Sequence, residues 1–364
     1  MDSKWIPDIT INNKSITAFE LSFLSSIRPE LFSKNFTSFN RTAVQLLFSN
    51  HTFVAYFLEK LPRIPIFNEM SMIKTVVLSC MFVVAFIGNT ATLVQMYRMR
   101  RRKSTINLLL LHLAIADLLV TFFCIVSEAV WASTIQWFAG NFMCKLVKFL
   151  QVFGLYLSTY IIVIIALDRC LAILDPMSRN RAPRRVRTMI TVAWIMAGFF
   201  STPQVIIFKV ERGPFPEDFF QCVTYGTYSQ PWQEQLYSCL SVGFMFIIPL
   251  VAMVSAYMLI FHTIAKKSRD FQRGASDMLS RGPVRGQLFR KAKVKSLRMT
   301  AVIVVAFIVC WTPYFVILIL HTFSSNKLDE KSSLWIFFFG MANSMINPLI
   351  YRAFQISKNR KRKR

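Results

Sequence analysis

The sequence predicts an all-α membrane protein, a seven-transmembrane helix bundle with its N-terminus outside and its C-terminus inside. Three observations carry this prediction. The 364 residues are 54% hydrophobic and only 17% charged, too apolar a balance for a soluble chain of this length. Seven apolar segments, near 72–97, 105–130, 142–174, 186–208, 233–264, 295–323 and 332–354, are each long enough to cross a bilayer. The net charge of +25 is confined to alternate connections: after the first segment (Arg98 to Lys103), after the third (Arg179 to Arg187), between the fifth and sixth (Lys266 to Arg298) and at the end (Lys358 to Arg364). With Arg352 these clusters hold 28 Lys/Arg against Asp175, Asp270 and Asp277, which is the whole excess. Alternation of this kind follows the positive-inside rule, so the basic patches predict contact with anionic membrane lipid and not with nucleic acid.

Residues 1–70 are mixed polar, with no apolar run behind Met1, so no cleaved leader is expected. Glycosylation sequons stand at Asn13, Asn35, Asn40 and Asn50 and nowhere later, which predicts a glycosylated extracellular tail. Residues 71–354 form the helical domain, interrupted by a basic, mobile third intracellular loop over 265–294, and 355–364 form a short basic cytoplasmic tail. The third segment is the expected central post. Its polar residues Cys144, Gln151, Ser158 and Arg169 fall within about 40° of one another at 100° per residue. Such a stripe needs other helices around it to shield it from lipid. Cys144 and Cys222 are the two cysteines placed outside, where a disulfide is expected over the alternative of two free thiols.

Ionisable and amide side chains at bilayer depth point to function. Asp117, Ser158, Asn343 and Asn347 offer an oxygen-rich site for a sodium ion, or a hydrogen-bonded network with Asp117 neutral; both readings stand. Pro249, Pro313 and Pro348 interrupt three successive helices and predict kinks that could act as hinges. Asp168-Arg169 closes the third helix at its cytosolic end.

Gly88-Asn89, LAIAD ending at Asp117, DRC at 168–170, Trp194, Pro249 with Tyr257, CWTP at 310–313 and NPLIY at 347–351 fall in order, one set per segment. Together they resemble the rhodopsin-family (class A) G-protein-coupled receptors over about 72–354. Within that family, SEAVW at 127–131, IQWFAGNFMCK at 135–145 and CWTPYF at 310–315 are similar to receptors for gonadotropin-releasing hormone, adipokinetic hormone and corazonin. Asp117 and Asn347 fit the invertebrate branch, since mammalian members exchange the two residue types.

The resemblance implies a cell-surface receptor for a short amidated neuropeptide, corazonin first among the three kinds, that activates a heterotrimeric G protein of the Gq class and releases calcium. It implies ligand contacts at Glu128, Trp131, Gln151, Tyr314, Phe315, His321 and Glu330. Gln151 stands where many relatives carry Lys or Arg; a neutral amide there suits a blocked N-terminus and not an ammonium. The implied switch comprises Asp168, Arg169, Tyr257, Trp311, Pro313, Asn347, Pro348 and Tyr351, with Met177 as a contact for the G protein. Lys293 stands where some receptors hold a carboxylate against Arg169. Receptor kinases, at Ser268, Ser276 or Ser280, and arrestin are further implied partners. No cofactor is expected beyond an allosteric sodium ion. An enzyme is not expected, for the chain contains neither HExxH nor GxSxG. A transporter is the rival class, disfavoured by the odd number of segments and the lack of an internal repeat.

Overall fold

In the computed structural model, the described residues are 9–11, 14–16, 64–99, 104–175, 180–213, 215, 218–274, 284–323 and 338–353; for 9–11, 14–16, 267–274, 284–296, Met299 and His321 this covers backbone only. The sequons at Asn13, Asn35, Asn40 and Asn50, and Met177, Ser276, Ser280 and Glu330, lie outside them.

Helix α1 spans Glu69–Arg98. Asn68 caps it, its side chain accepting from the Ser71 amide at 2.9 Å, while Glu69 and Arg98 complement the helix dipole at the two ends. Helix α2, Thr105–Thr134, contains one π-helical stretch, Thr121–Val126, and stops at Ile135 in the left-handed conformation, φ 61°. Helix α3 is Gly140–Leu174. Helix α4, Ala182–Ile207, starts with a proline in its first turn, where the missing N–H is unused.

Helix α5 runs as Pro231–Val242, a π turn Gly243–Ile247, and Ile248–Gly274. Pro249 accounts for that π turn: its absent N–H frees the carbonyl of Met245, which lies within it. Helix α6, Val284–Phe323, carries Pro313 inside it without a break in the helical assignment. Helix α7 covers 338–353. Both flanks of the basic segment 265–294 are therefore helical, α5 continuing to Gly274 and α6 beginning at Val284.

Six of these helices have an apolar stretch long enough to cross a membrane, and α7 contributes the seventh member of the bundle. In α3, 61% of the most apolar window is buried against 17% in α1, so α3 is enclosed and α1 peripheral. The expected central post is observed: Cys144, Gln151 and Ser158 are all buried. A continuous core of α3 residues such as Leu157, Ile161 and Ile165 packs against Val186 and Ala193 of α4, Met253 of α5 and Phe307 of α6. Aliphatic and aromatic side chains elsewhere face outward (Val251, Phe261, Ile195), as a lipid-facing surface requires.

Two contacts join helices with no room to spare. A Cβ placed on Gly88 of α1 would lie 2.8 Å from Pro348 Cγ of α7. Beside it, the Asn89 side-chain amide donates to the carbonyls of Ala85 and Ser344, each at 3.0 Å, bonding α1 to α7. The glycine allows the approach and the asparagine fastens it.

The other compact unit contains the N-terminal segment, with a short antiparallel ladder of β1 (Ile9–Ile11) and β2 (Lys14–Ile16). Strands β3 (Lys209–Arg212) and β4 (Phe220–Val223) form a hairpin between α4 and α5. Cys222 on β4 is disulfide-bonded to Cys144 at the start of α3, as expected, with Cα atoms 5.6 Å apart.

Candidate functional site

Three layers of polar side chains follow α3 through the bundle. The middle layer is the most enclosed. Asp117 of α2 is fully buried; its Oδ1 accepts from Ser158 Oγ at 2.7 Å and its Oδ2 from Asn347 Nδ2 at 2.9 Å. Asp117, Ser158 and Asn347 are thereby brought together, with Asn343 buried one turn earlier on α7. The Oδ1 atoms of Asn343 and Asn347, the Tyr351 hydroxyl and the Trp311 indole N–H are buried without a hydrogen-bond partner among the described residues. A carboxylate, a hydroxyl and two unsatisfied amide oxygens form an all-oxygen donor set, which fits a small hard cation or water.

The upper layer gathers around Glu128. The π stretch of α2 inserts about one residue per turn, so Ser127–Thr134 is rotated by roughly 100° relative to an unbroken α-helix. The hydroxyls of Thr121 and Ser127 donate to carbonyls within or just before it, those of Asp117 and Cys124, satisfying groups the irregular turn loosens. Glu128 lies against Lys74 of α1 at 3.4 Å and Lys148 of α3 at 3.6 Å. Trp131 lies under the Lys148 ammonium, 4.6 Å from ring centroid to Nζ. Gln151, one turn below Lys148, donates to Ser127 Oγ at 2.8 Å, and its backbone carbonyl faces Cys124 Sγ at 3.6 Å.

The floor of this layer is aromatic: Trp311 meets Tyr314 edge-on at 5.7 Å and stacks on Phe315 at 5.5 Å, and Phe315 stacks on Phe246 at 5.0 Å. A Cβ on Gly340 would come within 3.1 Å of the Trp311 ring, so α7 closes directly on it. His321 belongs to the last turn of α6, of which only the backbone is described, and Glu330 lies outside the described residues.

The lower layer is at the C-terminal end of α3. Arg169 pairs with Asp168, and Thr105 Oγ1 at the start of α2 donates to Asp168 Oδ2 at 3.1 Å while lying 3.4 Å from Arg169. The Tyr257 hydroxyl of α5 is buried without a hydrogen-bond partner among the described residues. Tyr351 is 2% exposed in the adjoining core. The Lys293 side chain is not among those described.

Sequence reasoning missed Lys74, Lys148 and Thr105. Lys148 carried a usable signal, a lysine three residues before Gln151 on the face of an otherwise apolar helix. Lys74 and Thr105 stand at helix ends, where such residues are ordinary.

A seven-helix membrane bundle with a buried carboxylate at mid-depth, a disulfide-tied upper end and an arginine at its foot is the frame of a signalling receptor. The chain belongs to the rhodopsin family of seven-transmembrane receptors, whose family model matches residues 88–351. It is a multi-pass plasma-membrane protein and not an enzyme. Within the family it falls in the gonadotropin-releasing hormone receptor group, on the invertebrate side. It is 47% identical over 306 residues to the gonadotropin-releasing hormone receptor of Octopus vulgaris, covering 82% of this chain and 74% of the relative. It is 34% identical over 297 residues to the gonadotropin-releasing hormone II receptor of Clarias gariepinus, covering 80% and 77%. The gonadotropin-releasing hormone receptor of Sus scrofa is 30% identical over 307 residues, covering 81% and 92%.

Proposed function

We propose that the chain is a cell-surface receptor for a short, N-terminally blocked, C-terminally amidated neuropeptide. Of the three hormone kinds, the gonadotropin-releasing hormone kind comes first, ahead of corazonin and adipokinetic hormone, because the relatives above bear that name. The observation that carries the reading is the likeness to the octopus receptor across four-fifths of the chain. The site chemistry supports it: the buried Glu128 carboxylate is already flanked by two lysines and so does not invite a free ammonium, while aromatic walls suit an apolar peptide end.

In this reading the tail 1–70 and the disulfide face outside, and Arg169, the basic flanks and 355–364 face the cytosol. Alternate basic connections and the sequons support that sidedness. Cys144 and Arg169 are 25 residues apart, so α3 spans about 37 Å between them, enough to separate ligand from transducer. The peptide contacts Glu128, Trp131, Gln151, Tyr314 and Phe315, with His321 and Glu330 nearer the mouth.

A ligand activates only through higher affinity for the open form. Contacts that favour one setting of Trp311, between Phe315 and Gly340, supply that difference; α6 and α7 shift, the Asp168–Arg169 pair opens, and a heterotrimeric G protein of the Gq class enters beside Tyr257 and Tyr351. Asp117, Ser158, Asn343 and Asn347 would hold a sodium ion that favours the closed form. Kinases and arrestin act on the open form at the cytosolic face.

The test is calcium release in cells expressing the receptor, challenged with synthetic amidated peptides of the three kinds. Response to one of them is expected, and Glu128→Gln should lower its potency about ten- to a hundred-fold, the worth of one charge-assisted hydrogen bond. Silence to all three, or an ion-coupled uptake current in their place, would overturn the reading.

A further inference from the structure

Charged side chains from three helices meet at the upper ends of α1, α2 and α3. Lys74 Nζ stands 3.4 Å from Glu128 Oε2 and Lys148 Nζ 3.6 Å from Glu128 Oε1, so each carboxylate oxygen faces its own ammonium. Two cations against one anion leave one positive charge in surplus. The Lys148 and Glu128 side chains are 11% and 10% exposed, so little water screens it.

Lys148 is loosely held by its carboxylate. A separation of 3.6 Å exceeds ordinary hydrogen-bond length, and an ammonium carries three donors. Its other neighbours are rings: Nζ lies 4.6 Å from the Trp131 centroid and 5.3 Å from that of Phe208, both within cation–π range. The same two rings wall a cavity of about 550 Å³, bordered further by Cys222, Thr224, Tyr225 and Tyr228. The acid on its lining, Glu234, is exposed and screened by solvent, so it does not cancel the buried surplus.

We propose that Lys148 is a specificity-determining residue of the ligand site: from behind Trp131 and Phe208 it gives this cavity a positive wall. The portion of the ligand seated there is then an acceptor, a carbonyl, lactam or carboxylate, and a free ammonium is refused. The inference rests on the peptide-receptor reading above. A merely structural ion pair at Lys148–Glu128 would set folding and surface level, but it would not rank ligands by their charge.

The experiment uses the full-length receptor in cells, with calcium as readout. The probes are a synthetic N-blocked, amidated gonadotropin-releasing-hormone-type peptide, its analogue with a free N-terminal amine, and a set carrying one added carboxylate at each position in turn. Lys148→Gln should lower the potency of the parent peptide about ten- to a hundred-fold, while Lys148→Arg should stay within a few-fold of wild type. The free-amine analogue should lose at least tenfold more on wild type than on Lys148→Gln. At one or more positions the added carboxylate should be tolerated by wild type and penalised by the variant. Should Lys148→Gln fail to reach the surface, Lys148→Met assayed in membranes by displacement of labelled parent peptide yields the same ratios. Identical analogue-to-parent ratios in wild type and variant overturn the inference and leave the receptor reading intact. A wild-type receptor that ignores the parent peptide overturns both.

Discussion

Replacing Asp117 by leucine isolates the energy of the middle layer. Leucine keeps the heavy-atom count of aspartate but is bulkier, so the loss of two acceptors is joined by some overpacking at this fully buried position. Ser158 Oγ, 2.7 Å from Oδ1, and Asn347 Nδ2, 2.9 Å from Oδ2, then become donors without acceptors at 3% and 0% exposure. A buried donor left unsatisfied costs about 1–3 kcal/mol, so the pair sums to about 2–6 kcal/mol. Asparagine at the same position should cost far less. Its NH₂ would oppose that of Asn347, but Asn347 has a buried Oδ1 without a partner, and a flip of that amide restores a donor–acceptor pair. Thermal unfolding of detergent-purified receptor should therefore rank wild type first, Asp117→Asn close behind and Asp117→Leu well below. The same series tests the ion: sodium chloride at ten times the ion's dissociation constant should stabilise wild type by about 1.4 kcal/mol over matched choline chloride, and neither variant. Asp117→Leu melting with wild type would refute the two-bond network. Equal stabilisation of all three proteins by sodium would refute the ion site.

Other perturbations reach the remaining layers. Arg169→Ala should abolish calcium signalling while peptide binding persists, measured by radioligand displacement and calcium flux on the same cells. Cys144→Ser removes a bridge that closes a 78-residue separation, with a cost of about 2–5 kcal/mol, and should cut surface expression measured by antibody staining of intact cells. Gly88→Ala drives a methyl to 2.8 Å from Pro348 Cγ, an overpacking worth about 1–3 kcal/mol; Gly198→Ala, whose nearest neighbour is a Phe153 ring carbon at 3.9 Å, should be neutral or stabilising in the same melting assay.

The parts of the site visible in the sequence are those that chemistry makes costly at bilayer depth. Asp117, Asn343 and Asn347 stand out because an acid and two amides among apolar residues require a partner, and the structure supplies the partner for Asp117. The prolines are visible too, yet their effects differ: Pro249 follows a π turn, whereas Pro313 lies within a helix assigned without interruption. No proline or glycine announces the π stretch Thr121–Val126, and that irregularity turns Glu128 toward Lys74 and Lys148. The upper layer was accordingly the least legible. Lys74 and Glu128 are 54 residues apart in the chain, and nothing local marks them as neighbours.

What the amino-acid order determined by itself was the solvent each segment must face: apolar runs of spanning length, basic residues gathered in alternate connections and a polar stripe along α3. These follow from transfer energies that depend on residue type and on helical period alone. What only the tertiary structure decided was which polar groups touch. Asp117 meets Ser158 and Asn347, Gly88 admits Pro348, and one carboxylate divides itself between two lysines because helix ends, a π turn and a disulfide set the rotation and depth of each helix against its neighbours. Those rotations come from the packing of whole helices, a sum over many weak contacts that no short stretch of sequence contains.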